Sequence, residues 1–260
     1  MILNKAAYIL VPFMMECYDF YFDTIACNTP SNCEVLDFAG PRLHRYKKSG
    51  VELYFPSIPE DDVMDAYTHW YVPRPGDIVW DVGAHAGATA YFLSQLVGDK
   101  GKVYAFEPDP HNYEYLLKNI EMRGMANVIP VKKALAGNTG EAIFNADGTT
   151  AAGLRDCLVY SGTTQLTTVQ TLSLSDACDA LGEIPVYIKM DVEGAEVDIV
   201  RGSRDFLSSH PIHFAIESYH RLRNEYTFRM LQRLFPVIGY EVHSSREFGQ
   251  MFTWARASMR

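Results

Sequence analysis

The chain has 260 residues and a net charge of −9 at neutral pH, with 48% hydrophobic and 21% charged residues. That is enough for one large folded domain with a full core, or one domain with an added segment, and it excludes a disordered chain. The acidic balance argues against a nucleic-acid-binding surface as the main business of the protein.

The five cysteines, Cys17, Cys27, Cys33, Cys157 and Cys178, form no C-x-x-C pair. Reduced thiols in a cytoplasmic protein are expected, not a disulfide framework or a metal site. Residues 1–28 are rich in Tyr, Phe and Met and are read as a helix. The apolar run from Ala6 to Met15 is interrupted by Pro12 and followed by Glu16 and Asp19. It falls short of the ~20 apolar residues of a membrane span and lacks a small-residue cleavage site, so no stable membrane insertion is expected. Short strands are expected over 34–38, 43–46 and 51–55, with turns at Gly40-Pro41 and Ser49-Gly50. Pro59-Glu60-Asp61-Asp62 opens a helix expected to reach Tyr71, where Pro73 and Pro75 end it. The first 75 residues are therefore expected to form a cap or lid, and residues 76–260 the core domain.

From Gly76 onward strands and helices alternate. The strands are expected at 78–82, 103–107, 128–132, 186–190, 212–217, 236–243 and 250–255. The helices are expected at 87–97, 110–123, 174–181, 195–206 and 224–234. This pattern predicts an α/β fold with a mostly parallel sheet and helices on both faces. Ala142 to Phe144 and Thr167 to Leu172 are candidates for small added strands. The polar turn Ser244 to Gly249 is short enough for a terminal hairpin, so one edge strand is expected to be antiparallel.

Four stretches carry chemistry. Asp81-Val82-Gly83-Ala84-His85-Ala86-Gly87 follows the first core strand as a glycine turn, which lets backbone approach a ligand closely. It departs from the G-x-G-x-x-G dinucleotide fingerprint, because an acid stands where the first glycine would be. A carboxylate there would repel a pyrophosphate but suits an ammonium or a sulfonium, and S-adenosylmethionine carries both. Glu107-Pro108 ends the next strand, at the place from which a carboxylate can accept hydrogen bonds from ribose hydroxyls. The third stretch, Val186 to Glu196, is a buried strand running into an acidic turn with Asp191, Glu193 and Glu196. Glu193 and Glu196 could also simply stabilise a helix N-terminus, worth ~0.3–1 kcal/mol each. Asp81, Glu107, Asp191 and Glu217 would all fall over the carboxyl ends of the strands, where open α/β sheets bind ligands. In the fourth stretch, His213 to His220, Glu217 ends an apolar strand, and His220 in the loop that follows could act as a base near neutral pH or pack as a loop histidine. Arg221, Arg223, Arg229 and Arg233 suit either a solvated helix face or an anionic substrate group.

The glycine turn, Phe106-Glu107-Pro108, the block Ile188-Lys189-Met190-Asp191-Val192-Glu193-Gly194-Ala195-Glu196 and the following Gly202 resemble the FkbM family of S-adenosylmethionine-dependent methyltransferases. The resemblance covers roughly residues 76–220. It implies a Rossmann-like class I methyltransferase sheet of seven strands with the last antiparallel, and methyl transfer to oxygen on a sugar, glycolipid or natural-product hydroxyl. By similarity, Asp81, Gly83, Ala84, His85 and Gly87 line the methionine end of S-adenosylmethionine. Glu107 with Pro108 holds the ribose, Ala134 lies near the adenine, and Asp191 borders the site.

An alcohol must lose a proton as it attacks a methyl group, so a base or a metal must stand near it. The expected base is His220 or Glu217, with Asp191 and Glu193 orienting a small-molecule or glycan acceptor. A runner-up has Asp191 and Glu217 binding Mg²⁺, since paired carboxylates suit a hard cation. A catalytically silent scaffold and a nucleotide-cofactor oxidoreductase are the alternatives from other classes.

Overall fold

A computed structural model describes residues 33–37, 42–56, 64–146, 152–154, 166–222, 224–247 and 250–257. The chain divides into two compact units, Met1–Asp62 and Val63–Arg260. In the first, strands Cys33–Asp37 (β1), Arg42–Tyr46 (β2) and Glu52–Phe55 (β3) form an antiparallel sheet in that order. The period of two sends His44, Tyr46, Leu53 and Phe55 inward, with Phe55 edge-on to both rings of β2. These strands lie where the sequence predicts them. The expected helix over 1–28 lies outside the described residues.

Of the helix expected from Pro59 to Tyr71, residues 59–63 also lie outside them, and in the described part the helix is one turn, Met64–Tyr67 (α1). It belongs to the larger unit. The Trp254 indole donates to the Ala66 carbonyl at 2.7 Å and the Tyr187 hydroxyl to the Tyr67 carbonyl at 2.9 Å.

The larger unit is built on Ile78–Val82 (β4), Ala88–Val97 (α2), Lys102–Phe106 (β5), Pro110–Arg123 (α3) and Val128–Val131 (β6). Ala134–Leu135 (β7), Gly140–Asn145 (β8), Gly153–Leu154 (β9) and Leu166–Leu172 (β10) follow, then Leu174–Leu181 (α4) and Tyr187–Met190 (β11). The remainder is Glu196–Gly202 (α5), Arg204–Ser209 (α6), His213–Glu217 (β12), Arg221–Leu222 (β13), Glu225–Tyr226 (β14), Thr227–Val237 (α7), Tyr240–Glu247 (β15) and Gln250–Ala257 (β16).

Seven strands form the central sheet in the order β15-β16-β12-β11-β4-β5-β6. From β12 to β6 every pair is parallel, and β16 alone opposes its neighbours. The antiparallel strand is thus one in from the edge, not at the edge as the hairpin suggested. Helix α7 carries the chain past β12 to the rim, so β15 arrives first at the outside and β16 turns back to fill the gap. Strands β4 and β11 are almost wholly buried, as strands covered on both faces must be. Trp80 and Val82 join one core cluster with Phe106 and Ile188; Val79 joins the other with Leu93, Tyr187 and Trp254.

Two expected elements shift. The helix over 195–206 is two helices, broken at Ser203, whose hydroxyl donates to the Ile199 carbonyl at 2.7 Å. The strand over 236–243 begins only at Tyr240. Pro236 sits in the last turn of α7 instead, and Gly239, at φ +82°, makes the turn into β15. The two candidate added strands are β8 and β10, paired antiparallel in a second sheet ordered β7-β10-β8-β9. Cys178 is a buried free thiol, and Cys33 is buried. Among the described residues no helix is long and apolar enough to cross a membrane.

Candidate active site

The site begins at the turn after β4. Gly83 and Gly87 have φ of +81° and +89°, and His85 between them is also left-handed at +46°. The Gly83 and Ala84 amides both donate to the Phe106 carbonyl, at 3.1 and 2.9 Å. A Cβ on Gly83 would come within 1.8 Å of the Asp191 carbonyl oxygen, and one on Gly87 within 2.6 Å of Leu116. The first glycine is therefore required by backbone packed against backbone, as well as by its dihedral.

Beneath the turn lies a buried ion pair. Asp81 and Lys189 stand opposite each other in the β4–β11 register. They are 0% and 1% exposed. The Lys189 ammonium lies 3.0 Å from Asp81 Oδ1 and donates to the Gly83 carbonyl at 2.7 Å. A charge buried this deeply requires such a partner.

Glu107, just past β5, closes one wall. Its carboxylate accepts from the His85 amide at 2.7 Å and the Asp109 amide at 2.8 Å. Burial pushes it up to about 7, against the pull of His85 and of those two amides. Gly83, Glu107, Pro108, Ala134, Leu154 and Asp191 line one cleft.

The second half of the site is an acidic cluster over the ends of β11 and β12. Glu193 holds a left-handed conformation, φ +53°, in the turn that leads into α5. Glu196, fully buried, folds back so that Oε1 accepts from the Gly194 amide at 3.0 Å. His220 lies between the two, Nε2 at 3.2 Å from Glu193 and Nδ1 at 3.1 Å from Glu196. Burial alone would lower the imidazole, but Glu196 and Glu193 outweigh it and raise the group to about 11. At neutral pH it is a held imidazolium.

Glu217, 4% exposed, accepts from the Tyr67 hydroxyl at 2.5 Å. Burial raises it to about 7, although Tyr67, Lys189 and His220 all favour its ionised form. Burial and the neighbouring Glu217 charge raise Asp191 well above the carboxylate range. Asp191, Glu196 and His220 each bring one ligand atom within 4.8 Å of the others, a grouping that does not include Glu217.

The structure thus gathers Gly83, Glu107, Pro108, Ala134 and Asp191 along one cleft and Glu193, Glu217 and His220 beside Asp191. Ala84 and His85 are buried within the turn, and Asp81 lies under it. Arg233 grips Glu225, Arg221 lies over Tyr226 and Arg229 over Phe228, while Arg223 is outside the described residues. The sequence marks Lys189 only as part of the family-like block, without a role, and does not single out Tyr67. A lone lysine in the apolar strand Tyr187–Met190 is the signal that could have found the first; nothing in the pattern around Tyr67 marks the second.

The strand order, the glycine turn after β4 and the acids over the strand ends define a class I S-adenosylmethionine-dependent methyltransferase fold. Residues 81–252 match the methyltransferase FkbM domain, and the chain belongs to that family. It is 31% identical over 146 residues to the hexuronic acid methyltransferase AglP of Haloferax volcanii, covering 55% of this chain and 56% of that protein. A 59-residue stretch is 42% identical to a protein-L-isoaspartate O-methyltransferase of Aeropyrum pernix, covering 23% of each. The crystal structure of a methyltransferase FkbM from Methylobacillus flagellatus superposes with a TM-score of 0.53 at 18% identity, over 72% of this chain and 45% of that one. The chain therefore spans about half the length of the Haloferax and Methylobacillus proteins.

Proposed function

We propose that this chain transfers a methyl group from S-adenosylmethionine to a hydroxyl oxygen of a sugar, glycolipid or natural-product acceptor, a sugar being the first choice. The observation that carries this reading is Glu217, a buried carboxylate at about 7, beside Asp191 on the same sheet edge as the glycine turn. The name of the Haloferax relative supports a sugar acceptor.

The cleft suits the cofactor. It is lined by a bare glycine, a buried carboxylate and small or apolar side chains at Ala134 and Leu154. Gly83, Ala84, His85 and Gly87 would face the methionine end, Glu107 with Pro108 the ribose, and Ala134 the adenine, with Asp191 at the border. Asp81 acts from below, by fixing Lys189 and through it the Gly83 carbonyl. When bound, S-adenosylmethionine supplies an electrophilic methyl on a sulfonium that is already a good leaving group.

The protein's own work is then to align the acceptor and accept its proton. Alignment supplies much of the acceleration of an in-line displacement. Glu217 is the proton acceptor, because a base near 7 balances ionisation against basicity. His220 already carries a proton and serves by holding Glu193 and Glu196 in place. Asp191 and Glu193 orient acceptor hydroxyls.

The test is methyl transfer from labelled S-adenosylmethionine to a panel of monosaccharides, uronic acids and glycosides, with the methyl position read by mass spectrometry. Glu217→Gln is expected to lower turnover by about 10²-fold or more, while calorimetry finds cofactor binding unchanged. Wild-type turnover in that variant would reject Glu217 as the base. Turnover lost in EDTA and restored by Mg²⁺ would move the task to a cation.

A further inference from the structure

Tyr67 lies outside the stretch that matches the family, on the single turn of α1. Yet its side chain reaches the centre of the site. The hydroxyl donates to Glu217 Oε1 at 2.5 Å. The ring meets Phe252 edge-on, with centroids 5.4 Å apart, and the Lys189 ammonium lies 5.5 Å from its centre. The backbone is pinned on both sides, through the Ala66 carbonyl to Trp254 and through its own carbonyl to Tyr187. The ring therefore has little freedom to carry its hydroxyl away from Glu217. On the other side of the carboxylate, the Gln250 amide nitrogen, in the orientation that satisfies its neighbours, reaches Oε2 at 2.6 Å.

The same ammonium that faces the Tyr67 ring holds the Gly83 carbonyl. One buried lysine thus joins the turn on the cofactor side to the ring that grips the carboxylate. We propose that Tyr67 is a positioning residue of the methyl-transfer site, fixing the Glu217 carboxylate through its hydroxyl and registering it to the glycine turn through Lys189. This rests on Glu217 as the proton acceptor. A donor O–H favours the ionised carboxylate, so its loss raises the proton affinity of the base and weakens its alignment. Phe252 and Lys189 lie against the ring, so Tyr67→Phe keeps that packing and removes the hydroxyl that grips Glu217.

The test follows the Glu217 carboxyl by ¹³C NMR in protein carrying carboxyl-labelled glutamate, its resonance assigned by its absence in Glu217→Gln. In Tyr67→Phe the Glu217 titration is expected to move up by about 1 pH unit, the size of one charge-assisted hydrogen bond. S-adenosylmethionine affinity should hold, and the acidic limb of the pH–rate profile should move with the titration. Introducing 3-fluorotyrosine at position 67, a stronger donor of the same shape, should move it the other way, and covers the case in which the phenylalanine variant fails to fold. A Glu217 titration unmoved by either change would overturn the proposal while leaving Glu217 as the base. Wild-type turnover in Glu217→Gln would instead remove the base, and the positioning role with it, even where the titration moves.

Discussion

Gly83 is the residue on which the cofactor side of the site depends most directly. Its missing Cβ makes room for the Asp191 carbonyl, its dihedral is one that side chains rarely adopt, and its own carbonyl is the acceptor for Lys189. Gly83→Ala must therefore separate the turn from the end of β11. Calorimetry with S-adenosylmethionine should find affinity reduced by at least 10-fold, a separation worth about 1.4 kcal/mol or more; wild-type affinity would show that the turn does not form the binding surface. The need for a glycine here was legible in the sequence, because the D-x-G-x-x-x-G spacing after an apolar strand announces a tight backbone approach. What the approach is made to was not. Asp191 lies far along the chain, and only the β4–β11 register brings it there. Asp81 shows the same limit. The glycine-turn pattern predicts a carboxylate that faces a ligand, whereas Asp81 is fully buried against Lys189. Period-two alternation places Asp81, Lys189 and Glu217 on one face of adjacent strands, but only once the strand order is known.

At the scale of elements, most strands and helices of the core could be read from apolar runs and their caps. Helix α4 illustrates why: Ser173 accepts from the Asp176 amide at its start and Gly182 ends it in a left-handed turn, both local signals. The misreadings occurred where local signals gave way to tertiary packing. The Ser203 break between α5 and α6 occurs where the chain is pressed against the second sheet. A Cβ on Gly202 would come within 2.2 Å of the Gly137 carbonyl, and one on Gly137 within 2.8 Å of the Asp198 carbonyl. Gly202 belongs to the stretch that resembles the family, and its role is this contact between the end of α5 and the connection from β7 to β8. Gly202→Ala should force the two apart and cost about 1–3 kcal/mol of stability, the usual penalty of overpacking. Urea unfolding measures it directly. A midpoint unchanged within error would mean that the connection yields freely. Because the lesion lies beside the acidic turn rather than in it, cofactor affinity should change less than in Gly83→Ala.

For the whole molecule, the buried groups of the site tie stability to pH in one direction. His220 is raised from about 6.5 to about 11, so the folded protein keeps a proton that the unfolded chain gives up across that interval. Its contribution is fully present below pH 6.5 and is lost as pH rises toward 11. Glu107 and Glu217, raised from 4.5 to about 7, have the same sign over a lower window: the stability they contribute is present below pH 4.5 and lost by about pH 7. Carboxylates shifted the opposite way, such as Glu183 with Lys102 and Glu225 with Arg233, are held in exposed or partly exposed pairs and weigh less. The free energy of unfolding is therefore expected to fall with rising pH above about 5. His220→Gln isolates the upper part of that slope. It should be less stable than the wild type at pH 6, because Glu193 and Glu196 lose their cation, and the gap should close steadily between pH 6.5 and 10. Urea midpoints taken at each pH provide the measurement. Two curves that stay parallel over that range would mean that His220 is not held protonated between the two glutamates, and would return it to the role of proton acceptor beside Glu217.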